Sequence, residues 1–182
     1  MKKFVLFCVT VLSGFIIFSC YHSTSPSPQD EQEPDSHITV YFNSFESEED
    51  AANWNGIFPA MFVSDPSPGG GEKSLLIGSG CIIPTTYIDL PVQPDSGNYI
   101  ISCWGKKGTG GGGVILTISG EMIHDRNEIG LGINHDDWTY IRSEDSIYCA
   151  SSKQLRLEIY SGGGYGVSLT MFVDQIKVEK VN

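Results

Sequence analysis

Gln154-Leu155-Arg156-Leu157-Glu158-Ile159-Tyr160 puts three aliphatic side chains on one parity and polar residues with Tyr160 on the other. Successive side chains of a strand point to opposite faces, so this stretch reads as a strand buried on one side only. Similar segments, rich in β-branched and aromatic residues, recur at 38–43, 57–63, 74–77, 85–90, 99–104, 114–119, 138–141 and 167–178. Asp65-Pro66-Ser67-Pro68-Gly69-Gly70-Gly71, Pro94-Asp95-Ser96-Gly97-Asn98 and the glycine runs at 108–113 and 161–164 supply the turns between them. Residues 48–54 allow one helical turn, with acids suited to its start, but no sustained helical period occurs. Strands at this spacing with no helices between them predict an all-β chain, an antiparallel sandwich or jelly roll.

Three segments follow from composition. Residues 1–19 carry Lys2 and Lys3 ahead of an apolar run at 4–18, which is shorter than the roughly 20 residues a spanning helix needs and so reads as a signal peptide. Ile17-Phe18-Ser19-Cys20 resembles the lipobox of bacterial lipoproteins, with Phe18 and Ser19 in place of the preferred Leu and Gly or Ala. The resemblance implies acylation of Cys20 and a lipid-anchored, envelope localisation, at the periplasmic or surface face of an outer membrane. An ordinary secretory signal cleaved nearby is the alternative. Residues 20–37 offer no aliphatic side chain to bury and mix proline with acids, the composition of a disordered, semi-stiff tether. Residues 38–182 then have the length of one domain.

Charge and motifs exclude several functions. The net charge of −11 gives neither nucleic acid nor an anionic leaflet a source of counterion release. Gly108-Thr109-Gly110-Gly111-Gly112-Gly113 satisfies a dinucleotide fingerprint only formally, because strands flank it on both sides where a helix is required. No nucleophile elbow, His-Glu-x-x-His pair or Cys-x-x-Cys is present. The reading is therefore not an enzyme. Among the cysteines beyond the leader and Cys20, Cys103 falls on the buried parity of its strand. Cys81 and Cys149 fall in expected loops, where they either pair or remain free.

In the last strand Phe172, Asp174, Ile176 and Val178 share a parity, which sets a carboxylate among apolar neighbours. An ionised acid there costs several kcal/mol unless paired, hydrogen-bonded or metal-bound. Phe42, Ser44 and Glu46 likewise lie in line, with Glu46 just beyond an expected core aromatic. Two acids without an Arg between them suit Ca²⁺.

Asn43-Ser44-Phe45-Glu46, Trp54, Gly71-Glu72-Lys73-Ser74-Leu75, Tyr87-Ile88-Asp89-Leu90, the run from Tyr99 to Lys106, Trp138, Leu155 to Ile159 and Val173-Asp174-Gln175-Ile176 occur in that order. Together they resemble carbohydrate-binding modules of the CenC type, which have a galactose-binding-like jelly roll. The resemblance implies a structural Ca²⁺ held by side-chain oxygens of Glu46 and Asp174 and main-chain carbonyls of Ser44 and Lys73. The competing reading is that Asp174 caps backbone amides of the loop after the first strand, with no metal. The resemblance also implies a glycan partner, bound by ring stacking and polar contacts. Parity directs Tyr87, Trp104 and Tyr160 outward, with Arg156 and Glu158 as polar contacts, so these five residues form the expected ligand platform. Trp104 has a packing role as its alternative, and Trp54 and Trp138 are expected in the core. A protein-interaction module of a cell-envelope assembly is the alternative function.

Overall fold

The computed structural model describes residues 37–57, 61–78, 85–93, 95–121, 126–162 and 169–181. The expected signal peptide, the expected lipidation site Cys20 and the expected tether before His37 lie outside them, as does Cys81.

Two antiparallel sheets face each other. The larger runs β2 (Phe62–Val63), β3 (Ser74–Gly78), β11 (Thr170–Val181), β5 (Gly97–Lys107), β8 (Thr139–Arg142). Here β1 (Ile38–Asn43) also pairs with β11, and β9 (Ile147–Cys149) also pairs with β5. The smaller runs β4 (Thr85–Asp89), β10 (Leu155–Ser161), β6 (Gly112–Ile118), β7 (Glu128–Ile133). A 3₁₀ turn spans Glu48–Ala51, where the Asp50 carboxylate accepts from the Ser47 amide at 2.8 Å. This is the all-β jelly-roll sandwich expected from the alternation.

Leu155, Leu157 and Ile159 are buried, as their parity requires, and join Val114, Leu116, Ile101, Cys103, Val173 and Ile176 in one core. Each such aliphatic contributes about 1.5–3 kcal/mol of burial. Gly105 sets the sheet spacing at one point, because a Cβ there would stand 2.8 Å from Ile133 Cγ1 across the sandwich. Trp54 is in the core as expected, 5.9 Å from the Phe45 ring, with its Nε1 donating to the Tyr41 hydroxyl at 2.9 Å.

Several expectations need correction. β7 and β9 lay outside the expected strands: Gly130 and Gly132 blank one face of β7, and β9 is only three residues long. Cys149 is therefore a strand residue and not a loop residue, and its thiol is buried and free, one of the two alternatives, while Cys81 lies outside the described residues. In place of a strand over 57–63 the described strand is only Phe62–Val63, residues 58–60 lying outside the description. Trp138 is half-buried on the outer face of the larger sheet, not in the core, because its Nε1 donates to Asp65 and its ring packs edge-on to Phe172 at 6.3 Å.

The inward parity of β1 differs from the expected one, and alternation breaks in β11. Phe42 is 54% exposed because Asn43 and Phe45, both buried, hold the inward parity at the end of β1; Phe45 also takes a left-handed φ of 54°. The β11–β5 register slips between Asp174 and Lys177, where Gln175 has φ 47°. Val173 and Ile176 consequently hold the core positions, while Phe172 turns outward beneath the Lys106 ammonium. Asp174 is buried, but at a bulge rather than within an unbroken apolar row.

Candidate functional site

Glu46 follows β1 and Asp174 sits in β11, and the β1–β11 pairing brings these distant segments to one loop. The Glu46 carboxylate accepts from the amides of Gly71 and Glu72 at 3.2 and 2.7 Å. Asp174 Oδ2 accepts from the Ser67 amide at 2.9 Å, and Oδ1 from the Gln175 amide at 2.7 Å. The capping reading of Asp174 is thus partly realised, though on the loop before β3 instead of the one after β1.

Burial pushes the Asp174 carboxyl above the usual carboxylate range, the two amides and the Ser67 hydroxyl pull it down, and the negative charge of Glu46 adds to the rise. Among the described residues neither acid is in an ion pair. Phe45 and Gln175, the two described non-glycine residues with left-handed φ, each adjoin one of these acids. Such backbone persists only where its surroundings enforce it, and it concentrates at functional sites. No group of three or more His, Cys, Asp and Glu side chains capable of holding a metal occurs among the described residues. A cation here would rest on two carboxylates and main-chain oxygens, a donor set that fits a hard ion such as Ca²⁺. Ser44 and Lys73, both half-buried, adjoin this loop and its acids in sequence.

The five expected ligand residues divide between two surfaces. On the smaller sheet, Glu158 is directly opposite Tyr87 and Arg156 opposite Asp89. Arg156 donates to Asp89 from Nε and Nη2 at 2.8 and 2.9 Å and lies 4.2 Å from the centre of the Tyr87 ring. The guanidinium holds the Asp89 carboxyl below its ordinary value, against a smaller opposing effect of burial. Glu158 is claimed by Arg126 at 3.1 Å. Tyr160 lies over Gly113, where a Cβ would come within 2.8 Å of its hydroxyl. A cleft of about 330 Å³ opens among Tyr87, Arg126, Arg156 and Glu158. Arg126, Arg156 and Glu158 there are engaged by Glu128, Glu158, Asp89 and one another, and one face of Tyr87 is covered by Arg156.

Trp104 is elsewhere, on β5 in the larger sheet, so the three aromatics do not form one strip. Trp104 pairs across strands with Tyr140, their rings 5.8 Å apart and tilted by 58°. Tyr140 is 51% exposed, and both line a cleft of about 360 Å³ with Phe42, Ser102, Gln175 and Lys177. Ser102 Oγ is buried there without a hydrogen-bond partner. Sequence reasoning missed Tyr140 and Phe42. The Tyr140 position follows from a β5–β8 register that no local pattern reveals, and Phe42 was missed because the expected inward parity of β1 is held by Asn43 and Phe45 instead.

No protein-family model matches the chain, and no curated protein matches it. Solved structures share its fold. The C-terminal family 22 carbohydrate-binding module of Clostridium thermocellum xylanase 10B is 12% identical, with a TM-score of 0.52 over 79% of this chain and 94% of that one. The N-terminal modules of the same endo-1,4-beta-D-xylanase, a carbohydrate-binding and a GH10 module complexed with xylohexaose, are 13% identical, with a TM-score of 0.51 over 78% of this chain. The chain spans 28% of the length of that two-module structure. It has the jelly-roll fold of carbohydrate-binding modules, as the sequence resemblance implied.

Proposed function

We propose that this chain is a non-catalytic cell-envelope lipoprotein whose jelly roll binds glycan on the outer face of the larger sheet and holds a structural Ca²⁺ between Glu46 and Asp174. The observation that carries the glycan reading is Trp104 flanked by the half-exposed Tyr140 and Phe42 above the unpartnered Ser102 hydroxyl. An aromatic ring suits the C–H face of a pyranose, and buried unpaired polar groups are rare in proteins without a partner to meet them. Gln175 and Lys177 supply further hydrogen-bonding groups at the rim. The fold shared with carbohydrate-binding modules supports this reading.

The Ca²⁺ would neutralise two carboxylates drawn from the beginning and end of the domain, with the carbonyls of Ser44 and Lys73 as further ligands. It would fasten the loop before β3 to the sheet. Acylated Cys20 would hold the domain at the membrane, and the proline- and acid-rich tether would supply reach.

A glycan array or affinity electrophoresis with plant and host polysaccharides tests the ligand. Wild type should be retarded or retained, and Trp104→Ala and Tyr140→Ala should not. A flat response across a broad array removes the glycan reading and leaves the protein-interaction alternative.

A further inference from the structure

β7 is a long sheet edge with little of the usual protection, its one charged residue being Glu128 at its start, which is ion-paired to Arg126. It pairs with β6 along one side, and among the described residues nothing pairs with the other. Natural sheets blunt their edges by covering, shortening, bulging or charging them. The other edges of this molecule obey that rule. β4 is covered by Asn55, which exchanges hydrogen bonds with Tyr87 at 2.8 and 3.1 Å. β2, β9 and β8 are two, three and four residues long. β1 is broken by a register slip between Thr39 and Tyr41. β7 runs six residues, about 20 Å at the usual rise, with no proline, no lysine and no bulge.

Its glycines are not required by the fold. Gly130 and Gly132 have no positive φ, and a Cβ at either would meet nothing nearer than 3.8 and 3.6 Å. Glycine in a strand interior weakens it and often marks a close approach by another backbone or ligand. Between β7 and β8 runs a groove of about 380 Å³, with Ile129, Leu131 and Ile141 among its apolar lining, Glu144 and Asp145 on its rim, and Glu128 and Arg142 as its other charges, so that acids outnumber cations three to one. Both rim acids are exposed, and among the described residues neither is in an ion pair.

We infer that β7 is a docking edge for an extended, basic segment of another protein, added as a fifth strand to the smaller sheet. The free amides and carbonyls of β7 would supply the ladder. Alternate side chains of the segment would rest on the Ile129, Leu131 and Ile141 lining, and its cations would meet Glu144 and Asp145. Charge disfavours a second copy of this chain, because two acidic rims would then face each other. This surface is distinct from the Trp104 cleft and does not depend on the glycan reading.

The test uses the full chain and a synthetic peptide of about seven residues alternating Lys and Val, with a Glu-Val peptide as control. Binding is read by fluorescence anisotropy, and its location by hydrogen exchange. The Lys-Val peptide should slow exchange of amides in Glu128–Ile133 and leave the Trp104 face unchanged. Affinity should fall about tenfold or more in the Glu144→Lys/Asp145→Lys double variant. It should also fall in Gly132→Lys, where the available space keeps the fold intact. Equal binding of the Glu-Val peptide, absence of protection in β7, or unchanged affinity in both variants overturns the proposal. A concentration-dependent dimer in sedimentation, protected at β7, would assign the edge to self-association instead and overturn it equally.

Discussion

Glu46 and Asp174 grip the same loop from opposite ends of the domain, Glu46 through the amides of Gly71 and Glu72 and Asp174 through that of Ser67. Burial above all, with the charge of Glu46 adding to it, raises the proton affinity of Asp174, and no cationic side chain is paired to either acid among the described residues. Added Ca²⁺ at a hundred times its Kd should stabilise wild type by about 2.7 kcal/mol. Asp174→Ala should abolish that gain. Differential scanning fluorimetry with and without chelator measures both, and a wild-type Tm that ignores Ca²⁺ ends the metal reading.

Apart from any cation, Asp174→Ala strips acceptors from the Ser67 and Gln175 amides. Leaving such donors unpaired costs about 1–3 kcal/mol, so the variant should melt below wild type even in chelator. Urea denaturation would report the loss, and an unchanged midpoint would show that the amides find other partners.

Trp104 and Tyr87 separate the two outer faces. Trp104→Ala should weaken glycan binding at least about tenfold, the scale of a stacking anchor worth 1.4 kcal/mol or more. Tyr87→Ala, whose ring is already occupied by Arg156, should bind as wild type. Isothermal titration with the best array hit compares the variants. Loss on Tyr87→Ala with retention on Trp104→Ala would move the site to the smaller sheet.

The Arg156–Asp89 pair gives a pH signature. Asp89 is held below its ordinary value in the folded state, so its stabilising contribution is present above the unfolded carboxylate pKa and disappears as pH falls through the lower folded value. Asp89→Asn should therefore melt below wild type at pH 7, by an amount on the order of 1 kcal/mol for a partly exposed pair. The two curves should converge in the acid range. Thermal melts from pH 7 downward test this, and a gap that persists at the lowest pH would point to packing of the Arg156 stem on Tyr87.

Cys103 should be chemically silent. Burial pushes its thiol up to about 12, so the reactive thiolate is scarce at neutral pH and access is closed. A maleimide or disulfide reagent should leave it unmodified in the native protein and label it after unfolding in urea. Rapid native labelling would mean that the sandwich opens locally around β5.

Much of the fold was legible because alternation is local. Leu155, Leu157 and Ile159 announced a half-buried strand, and β1 was bounded as it stands in the structure. The acid pair was legible as well, since a carboxylate beside core residues demands a partner wherever the chain goes. The ligand surface was not. Parity fixed which side of its own strand Trp104 occupies, but not which sheet receives that strand.

The amino-acid order by itself determined that the domain is built of strands, which residues of each strand are alike, and where two acids need compensation. Tertiary structure alone decided that Trp104 joins Tyr140 instead of Tyr87 and Tyr160, that Phe42 faces out, and that β7 is left open. These depend on strand pairing between distant segments, on which parity of β1 meets the core and on the register slip beside Gln175. A period of two carries no record of which neighbour a strand will find or which of its faces will be covered, and a one-residue slip exchanges those faces.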